Sequence, residues 1–283
     1  MNNRIFYIPK EKKQFLSRKK KYNLRMVASF VMVAVMLVLV FFGVRWRALQ
    51  IEKISISGLS AIQEEDVNRE ISSVLSGSFV TGLIPYRFLL IAPAGTIIAR
   101  IKEKFPLISD VEIKKEFPNT LAVTVTERRL FGVLCNDGIR EGVVPEQGKD
   151  IQCAYLDTNG IAYQKAPKTE GFLIMKVSTD AENIPLEESA VDSAAMRRMI
   201  ALNHKLPSII GSPILGYQLL RNSSHELRAV TKPGFVLIMK QDGDMDALFY
   251  ILKTVLEKEI GSKRKSLDYI DLRFGNKVFY KFK

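Results

Sequence analysis

Few side chains in this sequence are of the types that do chemistry, and their spacing narrows the options. The two histidines, His204 and His225, are isolated, and His225-Glu226 lacks the second histidine that a zinc-binding helix would carry four residues on. Asp242-Gly243-Asp244-Met245-Asp246 superficially resembles a calcium loop. Its closing glutamate is misplaced, however, and helical periodicity starts at once, so Asp244 is expected to cap a helix. There is no G-x-S-x-G and no glycine-rich phosphate loop, and the carboxylates are scattered. No catalytic residue, no metal site and no cofactor is therefore expected, and the protein reads as a binding protein. Cys135 and Cys153 bracket seventeen residues rich in Gly, Asp and Pro between two expected neighbouring strands. Outside a membrane such a pair is expected to oxidise, and closing that loop would contribute about 3 kcal/mol in the chain-entropy model. The alternative is two ordinary buried thiols. With no C-x-x-C, a redox-active role is not expected.

The charge pattern says where these residues are held. The 283 residues hold 42 Lys+Arg against 30 Asp+Glu, a net charge of +12. Residues 1–25 carry nine basic side chains against the single acid Glu11, so two thirds of the excess lies in that tail and a wholly basic nucleic-acid-binding domain is excluded. Met26–Val44 then runs for nineteen uncharged residues. As a helix it would span about 28 Å, close to a bilayer's hydrocarbon core. The basic tail predicts a cytoplasmic N-terminus and an extracytoplasmic remainder, with Trp46 at the outer interface; Arg45 and Arg47 oppose this mildly. The tail itself reads as a topology signal with affinity for anionic lipid.

Beyond the anchor, residues 50–127 read as β-α-α-β-β. Ile54 and Ile56 alternate in a strand ending at Gly58. Ser60 with Gln63 predicts a capped helix presenting Val67, Ile71, Val74 and Leu75. A loop-rich stretch, Gly77–Gly95, leads to a second helix over about 96–105, ended by Pro106. Val111 and Ile113 mark one strand and Leu121, Val123 and Val125 the next, around the turn at Phe117-Pro118-Asn119.

Residues 128–283 are mostly strands: Leu130–Cys135, Cys153–Asp157, Ile161–Lys165, Leu173–Val177, Ile214–Leu220, His225–Val230 and Phe235–Lys240. Thr158-Asn159-Gly160 predicts a hairpin turn, as do Asn222-Ser223-Ser224 and Lys232-Pro233-Gly234. One helix is predicted over about 191–206, stopped by Pro207, and another over Met245–Ile260, stopped by Gly261. Ile270, Leu272 and Phe274 alternate with Asp271 and Arg273. Gly275-Asn276 turns the chain into a final strand with apolar Val278, Phe279, Tyr280 and Phe282 on both faces, guarded by Lys277, Lys281 and Lys283. The sequence stops at Lys283, with no tail expected beyond. One reading is a fully paired terminal strand packed in the core. The sharper one is an open edge on which a partner's strand pairs.

"GLSAIQEEDV" (58–67) and "FPLISDVEIKKEFPNTLAVTVTERR" (105–129) resemble a POTRA domain of the FtsQ/DivIB cell-division family, with Pro118–Leu121 and Glu127-Arg128 the most specific pieces. Glu127 and Arg128 are expected to be structural charges at a domain junction rather than functional ones. "YLDTNGIAY", "GFVLIM" and "IDLRF" are similar to that family's β-domain. The resemblance implies an α+β chain: one N-terminal transmembrane helix, a POTRA domain, and a mixed, mainly antiparallel β-domain with two helices. It implies a non-enzymatic scaffold in the cytoplasmic membrane at the division septum, recruiting FtsB/DivIC-like and FtsL-like bitopic proteins in support of septal cell-wall synthesis, with other division proteins meeting the POTRA domain. The partner-binding positions would be Phe274, Asn276, Val278, Phe279, Tyr280, Lys281 and Phe282. Phe274 stands where the family has an aromatic after Asp-Leu-Arg, though it lies on the core-facing alternation. Two rivals compete: a POTRA-bearing outer-membrane assembly or secretion factor, for which the remaining residues make too short a barrel, and a membrane-tethered cell-wall enzyme, which lacks a reactive constellation.

Overall fold

The computed structural model describes residues 12–79, 82, 84–138, 151–168, 174–220 and 226–283. The expected turn at Asn222-Ser223-Ser224, His225, and the first residue of the Leu173–Val177 strand lie outside these. The chain divides into two compact units, one of the residues up to Lys104 with Asp110–Thr126, the other of Phe105–Ser109 with Glu127–Lys283.

The first unit begins with α1 (Lys12–Val44). The helix starts well ahead of the apolar run because Lys, Arg, Gln and Leu are good helix formers and neither Gly nor Pro interrupts residues 12–42. Within it Arg25–Gly43 has a mean hydropathy of 2.7 and none of it is buried, so by length and composition it suffices to cross a membrane. A 3-10 turn at Arg47–Leu49 follows. β1 (Lys53–Ser57), α2 (Glu64–Leu75), the short β2 (Ser78–Phe79) and β3 (Ile84–Pro85), α3 (Ala94–Lys104), β4 (Ile108–Glu116) and β5 (Thr120–Glu127) complete the pattern. The sheet runs β1-β5-β4, with β1 parallel to β5. Val67, Ile71, Leu75, Ile97 and Ile101 from the helices, with Leu121, Val123 and Val125, are all buried. The start of α2 differs from the sequence reading: the helix starts after Gln63, not at Ser60, and Gln63 makes no side-chain capping bond. Three acids in its first turn, Glu64, Glu65 and Asp66, answer the helix dipole instead.

The second unit is built on β6 (Leu130–Cys135), β7 (Cys153–Asp157), β8 (Ile161–Lys165), β9 (Lys176–Thr179), β10 (Glu188–Ser189), β11 (Ile214–Leu220), β12 (Glu226–Thr231), β13 (Val236–Lys240), β14 (Leu267–Phe274) and β15 (Lys277–Phe282). They form one mixed sheet in the order β10-β8-β7-β6-β9-β11-β12-β13-β14-β15. Gly132 makes the parallel approach of β9 to β6 possible, since a Cβ there would lie 2.1 Å from the Met175 carbonyl oxygen, which instead accepts from Val133 N at 2.8 Å. Cys135 and Cys153 face each other in the β6–β7 register and are joined by a disulfide of S–S 2.03 Å.

Two helices, α4 (Ser193–Ile210) and α5 (Met245–Val255), pack on this sheet. Asp192 caps α4 by accepting from Ala194 N, and Gly211, in the left-handed conformation, ends it. Pro207 does not stop the helix. The stripe Met199, Leu202, Leu206 and Ile210 is buried throughout, and burying Ile210 outweighs the one backbone hydrogen bond a late proline removes. Asp244 caps α5 by accepting from Asp246 N and Ala247 N, as the sequence reading expects. The expected helix over Met245–Ile260 gives way at Leu256 to a wider turn, then to a 3-10 segment, Gly261–Ser266. Burial pushes the Tyr217 phenol far above its ordinary pKa; neutral, it donates to Asn203 Oδ1 at 2.7 Å, with the Met199 carbonyl at 3.1 Å. Burial likewise lowers the pKa of Arg198, which donates to the Gly243 carbonyl at 3.0 Å and so ties α4 to the turn before α5.

Candidate partner-binding edge

β15 is the last strand of the large sheet, and among the described residues it pairs with β14 alone. The hairpin that makes it is short. Phe274 and Lys277 face each other, leaving Gly275 and Asn276 as the loop, and Gly275 has φ 63°, the positive value a II′ hairpin turn needs at its first central position. At the far end Lys283 N donates to the Ser266 carbonyl at 2.7 Å, which fastens the end of the strand to the 3-10 segment just ahead of β14.

The side chains of β15 divide by face. Val278 and Phe282 are half-buried and pack against the helix-covered core. Tyr280 shares their side, 38% exposed, with its ring 5.7 Å from that of Phe282. Phe279, Lys277 and Lys281 point the other way, and Phe279 is 52% exposed. Lys281 reaches Asp268 at 3.2 Å, a solvent-exposed ion pair that contributes little stability.

Phe274 is not on the core side. The register shifts between Asp271 and Phe274, and this irregularity turns the Phe274 side chain to the face that carries Phe279. The two rings stack edge-to-face with centroids 5.3 Å apart, Phe274 is 53% exposed, and the Arg273 guanidinium lies 5.4 Å over its ring. The alternation along β14 would have buried it.

Beside this aromatic pair lies an ionic cluster that sequence reasoning missed. Asp271 is 5% exposed and Glu226 2%. Arg273 holds both, with Nη2 2.6 Å from Asp271 and Nη1 2.5 Å from Glu226, and Arg228 also binds Glu226. Two guanidinium groups thus neutralise two buried carboxylates, the condition under which buried charge is tolerated. The alternation of Asp271 and Arg273 was visible in the sequence, but nothing local announced Glu226, 47 residues away. No group of three or more potential metal ligands occurs among the described residues.

The other singled-out residues lie elsewhere. Arg128 donates to Asp157 at 2.7 Å and to the Pro106 carbonyl at 3.1 Å, and sits 5.7 Å from the Tyr163 ring centroid. Asp157, wholly buried, also accepts from Asn159 N and Ile161 N, so it shapes the β7–β8 turn. These are structural roles. His204 is exposed on α4.

Residues 49–128 match the family of FtsQ-type POTRA domains. Over 243 residues, 84% of this chain, the sequence is 21% identical to the cell division protein FtsQ of Geobacter sp. (strain M21), covering 77% of that protein. It is 22% identical over 175 residues to FtsQ of Streptomyces bingchenggensis (strain BCW-1), covering 62% of this chain and 56% of that one. It is 26% identical over 141 residues to FtsQ of Streptomyces coelicolor (strain ATCC BAA-471 / A3(2) / M145), covering 47% of this chain and 49% of that one. The matches therefore span about half the length of the two Streptomyces proteins.

Proposed function

We propose that this chain, with an FtsQ-type POTRA domain and a likeness to FtsQ proteins over most of its length, is a member of the FtsQ/DivIB family, a single-pass scaffold of the bacterial division machinery that acts by lending a β-edge to another chain. In this reading α1 crosses the cytoplasmic membrane, the basic N-terminal tail stays in the cytoplasm, and both units after Val44 stand outside. The protein works at the septum without catalysis of its own, and supports cell-wall synthesis by assembly. Its partners are bitopic division proteins of the FtsB/DivIC and FtsL type, and the POTRA domain offers further division proteins a separate surface.

The observation that carries the reading is the state of β15. A six-residue strand with an unpaired flank is a ready template for strand addition, and natural sheets seldom leave one uncovered and aromatic without a use for it. Backbone bonds along the flank would supply affinity. Phe274, Phe279, Tyr280 and Lys281 stand where an added strand's side chains would meet them and supply selectivity, while Val278 and Phe282 hold the strand in place. Capture of the FtsB/DivIC-type partner from solubilised membranes tests it. F279A and K281E should each reduce the captured partner while circular dichroism and thermal unfolding stay as in the unaltered protein. Full capture by a chain carrying both changes would show that the partner docks elsewhere.

A further inference from the structure

Apart from those of α1, the first unit exposes five large apolar side chains among the described residues: Trp46, Phe79, Leu90, Ile91 and Phe117, at 67, 56, 65, 38 and 75%. Four of them gather at one end, and hydrogen bonds fix them there. Leu89 N donates to the Leu49 carbonyl at 3.0 Å and Ile51 N to the Arg87 carbonyl at 2.7 Å, so the segment carrying Leu90 and Ile91 is laced to the residues leaving α1. Glu52 N and Lys53 N donate to the Asn119 carbonyl at 3.0 and 3.3 Å, which brings the β4–β5 turn, with Phe117, to the same end. Lys115 Nζ joins the two by donating to the Leu90 carbonyl at 2.9 Å.

This end also carries positive charge. Arg45, Arg47, Lys53, Arg87 and Lys115 are exposed around the apolar side chains against the two acids Glu52 and Glu116, so the balance is positive. Four residues separate Val44 from Leu49, five Cα steps with a reach of at most about 18 Å, and the 3-10 turn at Arg47–Leu49 shortens it. Exposed aromatic and aliphatic side chains among basic ones, tethered this close to the end of an apolar span, have the composition of a surface that sits in a headgroup layer.

We infer that this end of the POTRA domain docks on the phospholipid interface, with Leu90, Ile91 and Phe117 entering the boundary between headgroups and acyl chains and the basic side chains meeting lipid phosphates. The bilayer, rather than a protein, is the occupant because α1 delivers it to this end and because the surrounding charge has the sign that phosphate attracts. A domain so held stands on the membrane at a fixed end instead of swinging on its anchor, which sets the height at which its remaining surface is presented. The inference rests on the reading of α1 as a membrane span.

Trp46 is the sole tryptophan, so the full chain in nanodiscs made with phosphatidylcholine brominated near the headgroup tests both statements separately. Four proteins are compared: the unaltered chain, W46Y/L90W, W46Y/F117W, and W46Y/E65W, which places the reporter on the exposed first turn of α2 beyond the far end of β1. Emission from Trp46 and from tryptophan at positions 90 and 117 should be blue-shifted and quenched by the bromolipid, and emission at position 65 should keep its solvent-exposed maximum and intensity. Quenching of Trp46 with no quenching at 90 and 117 overturns the docking and leaves the span standing. A blue shift at 90 and 117 without quenching also overturns it, since protein and not lipid then covers the patch. No quenching even of Trp46 removes the span itself and the docking with it.

Discussion

The large sheet has two ends, and they are built differently. At one, β10 is two residues long, Glu188 and Ser189, both exposed and polar. Glu187 just before it has φ 64°, a left-handed conformation unfavourable for a side chain with a Cβ, and the bend keeps the strand from growing in that direction. At the other end β15 is six residues long, with exposed Phe279 and Tyr280 and, across the hairpin, Phe274. The first end carries devices that keep other chains away: shortness, polarity and a bend. The second carries lysines only. Among the described residues one edge is protected and the other is open, and that difference supports the proposal that the open one is used. The disulfide cross-links β6 to β7 on the β10 side, while the core under α4 and α5 runs from Leu134 and Leu156 on β6 and β7 to Ile270 on β14.

The largest effect that sharpens this contrast comes from the disulfide. C135S/C153S should lower the unfolding free energy of the second unit by about 3 kcal/mol, read from denaturant melts. Below the melting range the altered chain should still capture its partner, because the staple lies in the half of the sheet away from β15. A loss of capture without unfolding would show that the two halves are coupled. Next in size, F274A/F279A should cost about 2 kcal/mol of partner binding, since aromatic anchors at a docking centre carry such values. Each ring is about half exposed, so the unbound fold should barely change. An undiminished affinity would reduce the aromatic pair to chance exposure.

Much of this was readable in the residues because the forces involved are local. The alternations in β1 and β5 and the Asp244 cap depend on neighbours a few positions away, or on a period of two or 3.6. The alternation along β14 points Phe274 to the core, whereas its face is decided by an irregularity in pairing with β15 that no such alternation reveals. Pro207 was misread because local propensity says stop, while burial of Leu206 and Ile210 says continue. The Glu226–Arg273 contact joins positions far apart in the chain, and only the fold brings them together. At the edge, the residue types were legible, but the division between Val278 and Phe282, which hold the strand, and Phe274 and Phe279, which remain open, required the sheet order.

The smallest expected effect belongs to the guarded end, and that is why it is decisive. E188K reverses a charge at an exposed position on β10, opposite Ala162 in the β8 register. If the protected edge is as inert as its construction says, stability should move by no more than about 0.5 kcal/mol, as for an ordinary surface change. Partner capture should be indistinguishable from that of the unaltered chain, because two residues offer a docking strand too few backbone groups and no aromatic anchor. The comparison is strict, since K281E makes the same size of charge change at the opposite end of the same sheet. Equal losses from the two would mean that capture responds to the charge of the whole domain and not to an edge. A loss confined to K281E, with E188K silent, localises recognition to β15.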